Sequence, residues 1–69
     1  MDMLRIANDE LYEAIQRIEN AMYYIDEYME NAELSDEDIQ SIENAKDCMD
    51  DTSSWLLDAT TCIEEVFGE

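Results

Sequence analysis

The side chains of this chain that could do chemistry are carboxylates and two thiols. Twenty of its 69 residues are Asp or Glu, two are cysteine (Cys48 and Cys62), three are basic (Arg5, Arg17 and Lys46), and histidine is absent. Adjacent acids such as Asp50-Asp51 have the composition of a general acid–base pair, but such a pair works only where burial or a neighbour drives the two pKa values apart. The apolar periodicity described below places both on an outer face. Without histidine the usual general base near neutral pH is missing, and neither thiol has an imidazole to activate it. A di-iron site in a helix bundle needs Glu-x-x-His. A calcium loop needs alternating acids about a central glycine, which Asp36-Glu37-Asp38-Ile39-Gln40 lacks. These residue types predict a non-enzymatic protein with no catalytic residue, metal site or cofactor.

The formal charge is −17 and the mean hydropathy is −0.48. Like charges destabilise a compact state, so a field of this size is expected to serve a positively charged partner. It opposes direct nucleic-acid binding, which requires Lys and Arg, and docking on anionic membrane surfaces. No apolar stretch approaches the ~20 residues of a membrane span. The opening Met1-Asp2-Met3-Leu4-Arg5 runs into Asn8-Asp9-Glu10 rather than an apolar leader, so no signal peptide is expected. The two cysteines are 14 residues apart. On one helix that is ~21 Å, beyond the ~7 Å within which Cα atoms must lie to form a disulfide. Two unpaired thiols suit a reducing, cytoplasmic setting, where they are expected to act as small packing residues. High charge with low hydropathy is also the composition of a disordered chain; the periodicity is what argues for a fold.

That periodicity is helical. Leu4, Leu11, Ile15, Ile18, Met22, Ile25 and Met29 follow a heptad, with Asn8 standing where an apolar residue is due. Asn8 either specifies register or marks a frayed end. Ser35 followed by Asp36, Glu37 and Asp38 predicts a helix start, with a capping hydroxyl and carboxylates at the positive end of the dipole. A second run follows at Ile39, Ile42, Ala45, Met49, Thr52, Leu56, Ala59, Ile63 and Val66. Its phase survives Asp50–Ser54, where a kink or break is the alternative. Gly68 is a plausible C-cap. The expected fold is all-α: residues 1–69 form a single antiparallel, coiled-coil-like helical hairpin, with helices over about 2–31 and 35–67 and a turn at 32–34. Closing it near Glu33 sets residue i level with 66 − i and places Trp55 beside Leu11 and Tyr12.

The apolar face is wider than one seam. Ala7, Ala14, Ala21 and Tyr28 add a third column to the first helix, and Cys48, Trp55 and Cys62 add one to the second. Three apolar columns in seven is the pattern of a helix inside a bundle. A single hairpin of this size is marginal alone, so a homodimer forming a four-helix bundle is expected. Trp55 is read as an anchor of the dimer seam, the alternative being packing within one hairpin. Tyr23, Tyr24 and Tyr28 point in successive directions and cannot share one core, so Tyr23 or Tyr24 should be exposed, either as a contact residue or as a snorkelling edge.

The carboxylates concentrate on the second helix. Asp36, Glu43, Asp50 and Glu64 share one heptad column, Glu37, Asp51, Asp58 and Glu65 another, and Asp47 lies between them; Lys46 is that helix's only cation. Arg5 and Arg17 are expected to pair locally with Asp9 and Glu13. Duplex DNA presents ~26 charges over a ~45 Å rod, the same order as this chain. In its small size, extreme acidity and lack of catalytic groups, the chain resembles the phage-encoded DNA-mimic inhibitors that block restriction, CRISPR or repair enzymes. The resemblance implies a basic, nucleic-acid-binding protein as partner, the cytoplasm of an infected host cell as the setting, and a contact surface in the acidic stripe, here Glu43, Asp47, Asp50, Asp51 and Asp58. The alternative is an adaptor, chaperone or assembly hairpin that binds partner helices through its apolar columns and aromatic residues, with charge serving only solubility.

Overall fold

Both helices start on side-chain caps. Asp2 accepts the Leu4 N–H through Oδ1 at 3.0 Å, and α1 runs Met3–Asn31; Ser35 Oγ accepts the Asp38 N–H at 3.1 Å, and α2 runs Asp36–Val66. The computed structural model describes residues 2–68 and packs the two helices side by side as an all-α hairpin measuring 50 × 17 × 15 Å. At the far end Phe67 and Gly68 donate their N–H groups to the carbonyls of Glu64 and Glu65. Gly68 has φ +81°, the left-handed conformation that glycine takes without a Cβ penalty. α2 is continuous through Asp50–Ser54. Nearby hydroxyls bond within the helix rather than against it: Thr52 donates to the Cys48 carbonyl at 2.8 Å, and Thr60 to the Leu57 carbonyl at 2.6 Å.

Contacts between the helices set a register six residues away from the expected one. Asn8 bonds Glu64, Asp26 pairs with Lys46, and Arg5 stacks on Phe67, so residue i lies level with 72 − i rather than 66 − i. Trp55 consequently sits level with Arg17 instead of Leu11 and Tyr12. The linker supplies the reason. Residues 32–35 are not helical, and Ala32 and Ser35 are fully extended. Four residues reach at most ~13 Å, enough to cross the ~8–10 Å between helix axes and still start α2 well beyond the end of α1.

The α1 seam is the one its heptads describe: Leu4, Leu11, Ile15, Ile18, Met22, Ile25 and Met29 are half-buried, and Asn8 is 7% exposed, a core position rather than a frayed end. The α2 seam is shifted. Its inward residues are Ile39, Ile42, Lys46, Met49, Ser53, Leu56, Thr60, Ile63 and Phe67, spaced three and four apart throughout. Ala45 and Val66, expected inside, are exposed, while Thr60 is fully buried. Hydropathy alone favours the column Ala45, Thr52, Ala59, Val66 over the column Lys46, Ser53, Thr60. Thr52 and Ala59 of the first column are half-buried at the edge of the seam, and the polar column lies inside: Thr60 bonds back to the helix, and the Lys46 stem packs while its amine reaches Asp26. Ser53 Oγ is buried without a hydrogen bond.

Among the described residues no apolar side chain is fully buried. The chain exposes 5367 Å², against about 4,500 Å² for a compact protein of this mass. With so thin a core, carboxylate repulsion is a large fraction of the balance. Raising NaCl from low millimolar to half-molar is therefore expected to increase the melting temperature followed by helical circular dichroism, by roughly 5 °C or more, because added salt shortens the Debye length to a few ångströms. A salt-independent or falling melting temperature would contradict this account.

Candidate functional site

Seven-residue spacing and the continuity of α2 line up the carboxylates along one side of the rod. Asp36, Glu37, Glu43, Asp47, Asp50, Asp51, Asp58 and Glu65 are all exposed. Glu43, Asp47 and Asp50, with Gln40 and Lys46, line a shallow open groove. Lys46, the single cation of α2, is already engaged: its Nζ forms an ion pair and hydrogen bond with Asp26 of α1. The Asp26 hydrogen bond pushes the Lys46 pKa up; burial works against that, and the charges of Asp26, Glu43 and Asp50 add to it. The stripe therefore presents carboxylates with their one internal cation turned toward the other helix.

The sign of the Lys46 shift gives a pH dependence. A pKa raised by folding contributes stability that is fully present below the ordinary lysine value of about 10.4 and is lost as pH rises through the raised folded value. Lys46→Gln is thus expected to melt below the wild type up to about pH 10, with the difference closing above that pH. Parallel thermal melts of the two proteins across pH 8 to 12 would read it, and a difference that persists at the alkaline end would show that packing, not the ion pair, carries the effect.

Glu64, expected in the outer stripe, is instead half-buried between the helices. Its Oε2 accepts from Asn8 Nδ2 at 3.3 Å and from the Tyr12 hydroxyl at 3.0 Å. This three-residue cluster is invisible to linear patterning because it depends on the inter-helix register. Asn8 Oδ1 is left buried without a partner. Arg17 pairs with Glu13 at 3.8 Å, as its spacing predicts, but Arg5 pairs with Asp2 at 3.5 Å rather than with Asp9. The guanidinium of Arg5 also lies 4.2 Å from the Phe67 ring centroid, tying the start of α1 to the end of α2.

The aromatic residues stand outside. Tyr23 and Tyr24 form an edge-on pair with centroids 5.6 Å apart, and both are exposed with Tyr28. Trp55 is 68% exposed, so it does not pack within the hairpin. Cys48 and Cys62 flank it one heptad either side and are exposed as well, not the buried packing residues expected. Leu57, absent from the expected contact residues, is exposed on the acidic side.

The two sides of the hairpin differ in chemistry. Tyr12 meets Glu64 along one flank of the seam. In an antiparallel pair the corresponding columns of the two helices share a flank, which puts Ala7, Ala14 and Ala21 of α1 on the opposite flank together with Ala45, Thr52 and Ala59 of α2. One flank is acidic and hydrogen-bonded; the other is small-residue and apolar. Among the described residues no group of three or more Cys, Asp or Glu side chains converges to hold a metal ion, and no helix is long and apolar enough to cross a membrane. Compared with protein-family models, curated proteins and solved structures, the chain matches none of them.

Proposed function

We propose that this protein is a non-enzymatic, intracellular acidic binding protein that occupies the basic, nucleic-acid-binding surface of another protein, in the manner of a DNA-mimic inhibitor, and that it works as a homodimeric four-helix bundle. The observation that supports this most is the exposed stripe of Glu43, Asp47, Asp50, Asp51 and Asp58, whose only internal cation is already bound to Asp26. A rigid row of carboxylates steers toward a basic cleft and associates fast, with strong dependence on salt. The test is capture from a cell lysate on immobilised protein, followed by elution with duplex DNA or with high salt. Partners released by both support the reading. Partners indifferent to both would overturn it.

One observation favours a second reading. Trp55, Tyr23, Tyr24, Tyr28 and Val66 are all exposed apolar or aromatic groups, as expected of an adaptor or assembly hairpin that takes partner helices on its apolar flank. Such a partner is held mainly by apolar burial and is nearly indifferent to salt, so the same elution separates the two.

A further inference from the structure

A second seam runs along α2 outside the one that α1 covers. Ala45, Cys48, Thr52, Trp55, Ala59, Cys62 and Val66 recur at alternating steps of three and four, the spacing of a helix-pairing stripe. One residue in three of this chain is charged, yet none of these seven is. Ala45, Cys48, Trp55, Cys62 and Val66 are exposed, and Thr52 and Ala59 are half-buried. The corresponding positions on α1 are interrupted by Glu10 and Arg17, so α1 offers no equivalent stripe.

We propose that a second copy of this chain docks on this stripe, α2 against α2 and antiparallel, about a two-fold axis at Trp55. The inference deepens the dimer part of the functional reading and rests on it. Three observations choose this occupant. The chain exposes 5367 Å², about 900 Å² beyond a compact monomer, close to the ~800 Å² per partner of a stable interface. The stripe is centred on Trp55: Cys48 and Cys62 lie seven residues either side, and the column Ala45 to Val66 has the same midpoint within half a residue. A two-fold axis there lets the whole stripe cover itself, whereas a heptad slip uncovers an end. Finally, Thr52 and Ala59 are the small neighbours of Trp55 along the stripe, and with the axis at Trp55 they leave room for the indole of the other copy. The acidic stripes then face away from the interface on both copies, apart from Asp51, Asp58 and Glu65 at its rim, where Asp51 of one copy lies within a residue of Asp58 of the other.

Two signatures follow. Rim repulsion makes the dimer tighten as salt rises, opposite to the partner binding proposed above. The axis also sets Cys48 of one copy level with Cys62 of the other, near enough for a disulfide between facing helices. The experiment is sedimentation velocity at low and high salt, combined with diamide oxidation, in which two thiols form one S–S bond and the reagent takes up their two protons and two electrons. The wild type should sediment as a dimer and cross-link. Cys48→Ser and Cys62→Ser should each fail to cross-link alone, because like cysteines lie ~21 Å apart along the antiparallel pair. An equal mixture of the two variants should cross-link. Trp55→Ala should weaken dimerisation about a hundred-fold, the loss expected when a buried aromatic anchor is truncated. A monomer at both salt concentrations, cross-linking of either single variant by itself, or a dimer that cross-links in no combination overturns the proposal. A monomer that still captures DNA-displaceable partners removes the dimer alone; a cross-linked dimer that captures none removes the mimic reading alone.

Discussion

Reversing Glu43, Asp47 and Asp50 to lysine is expected to abolish capture of a basic partner while leaving the helices intact. Each reversal adds two charges, so three move the chain from −17 to −11. The field falls by a third, but its local sign changes along the groove that these residues line with Gln40 and Lys46. Steering into a basic cleft accelerates association by roughly 10- to 1000-fold, and association with the triple variant should slow by about a hundred-fold within that range. Lysine is as good a helix former as glutamate, and the three positions lie away from the Trp55 stripe, so helical circular dichroism and oligomeric state should be unchanged. The control is the same charge change on α1, at Glu13, Glu27 and Glu30. If both triple variants lose capture equally, overall charge rather than the α2 stripe is the recognition element. If the α2 variant still binds, the mimic reading fails.

Asn8→Leu is expected to stabilise the hairpin. Asn8 is a seam residue, 7% exposed, whose Nδ2 bonds Glu64 while Oδ1 has no partner. An unsatisfied buried polar atom costs about 1–3 kcal/mol, and leucine would bury apolar surface at the same point. Against this, Glu64 loses one donor, though the Tyr12 hydroxyl remains on the same oxygen. The balance is a gain of about 2 kcal/mol. For a domain of this size that raises the melting temperature by roughly 10 °C. The denaturation midpoint in urea reads the change directly. A lower midpoint would mean that the Asn8–Glu64 bond holds the open end of the hairpin together, and that its specificity role carries a net stability as well.

The heptad of α1, the cap at Ser35 and the two-helix topology were legible because each is local. Apolar spacing, a hydroxyl before three acids and the absence of interior Gly and Pro act within a few residues. On α2 the column Ile42, Met49, Leu56 and Ile63 was legible as well, but its companion was not, because two adjacent columns compete there. Ala45 and Val66 look like core by hydropathy, whereas Lys46 and Ser53 do not, yet the latter face α1. The acidic stripe was readable at Glu43, Asp47, Asp50, Asp51 and Asp58 from spacing alone. Glu64 belonged to the same column by that criterion and was turned inward by Asn8 and Tyr12.

Residue order alone therefore carries the class of structure and the sign of the surface: two amphipathic helices, strongly acidic and without histidine. Composition and i, i+3, i+4 spacing suffice for that, because they govern each helix independently. Which faces meet depends on contacts between the helices, which spacing within each helix does not encode. The non-helical residues 32–35 accompany a register six residues from the expected one. Together with the turn of α2 that brings Lys46, Ser53 and Thr60 inward, that displacement reassigns the neighbours across the seam. The register sets Lys46 on Asp26 and puts Glu64 beside Asn8 and Tyr12, and the inward face of α2 leaves Trp55 outside with Cys48 and Cys62.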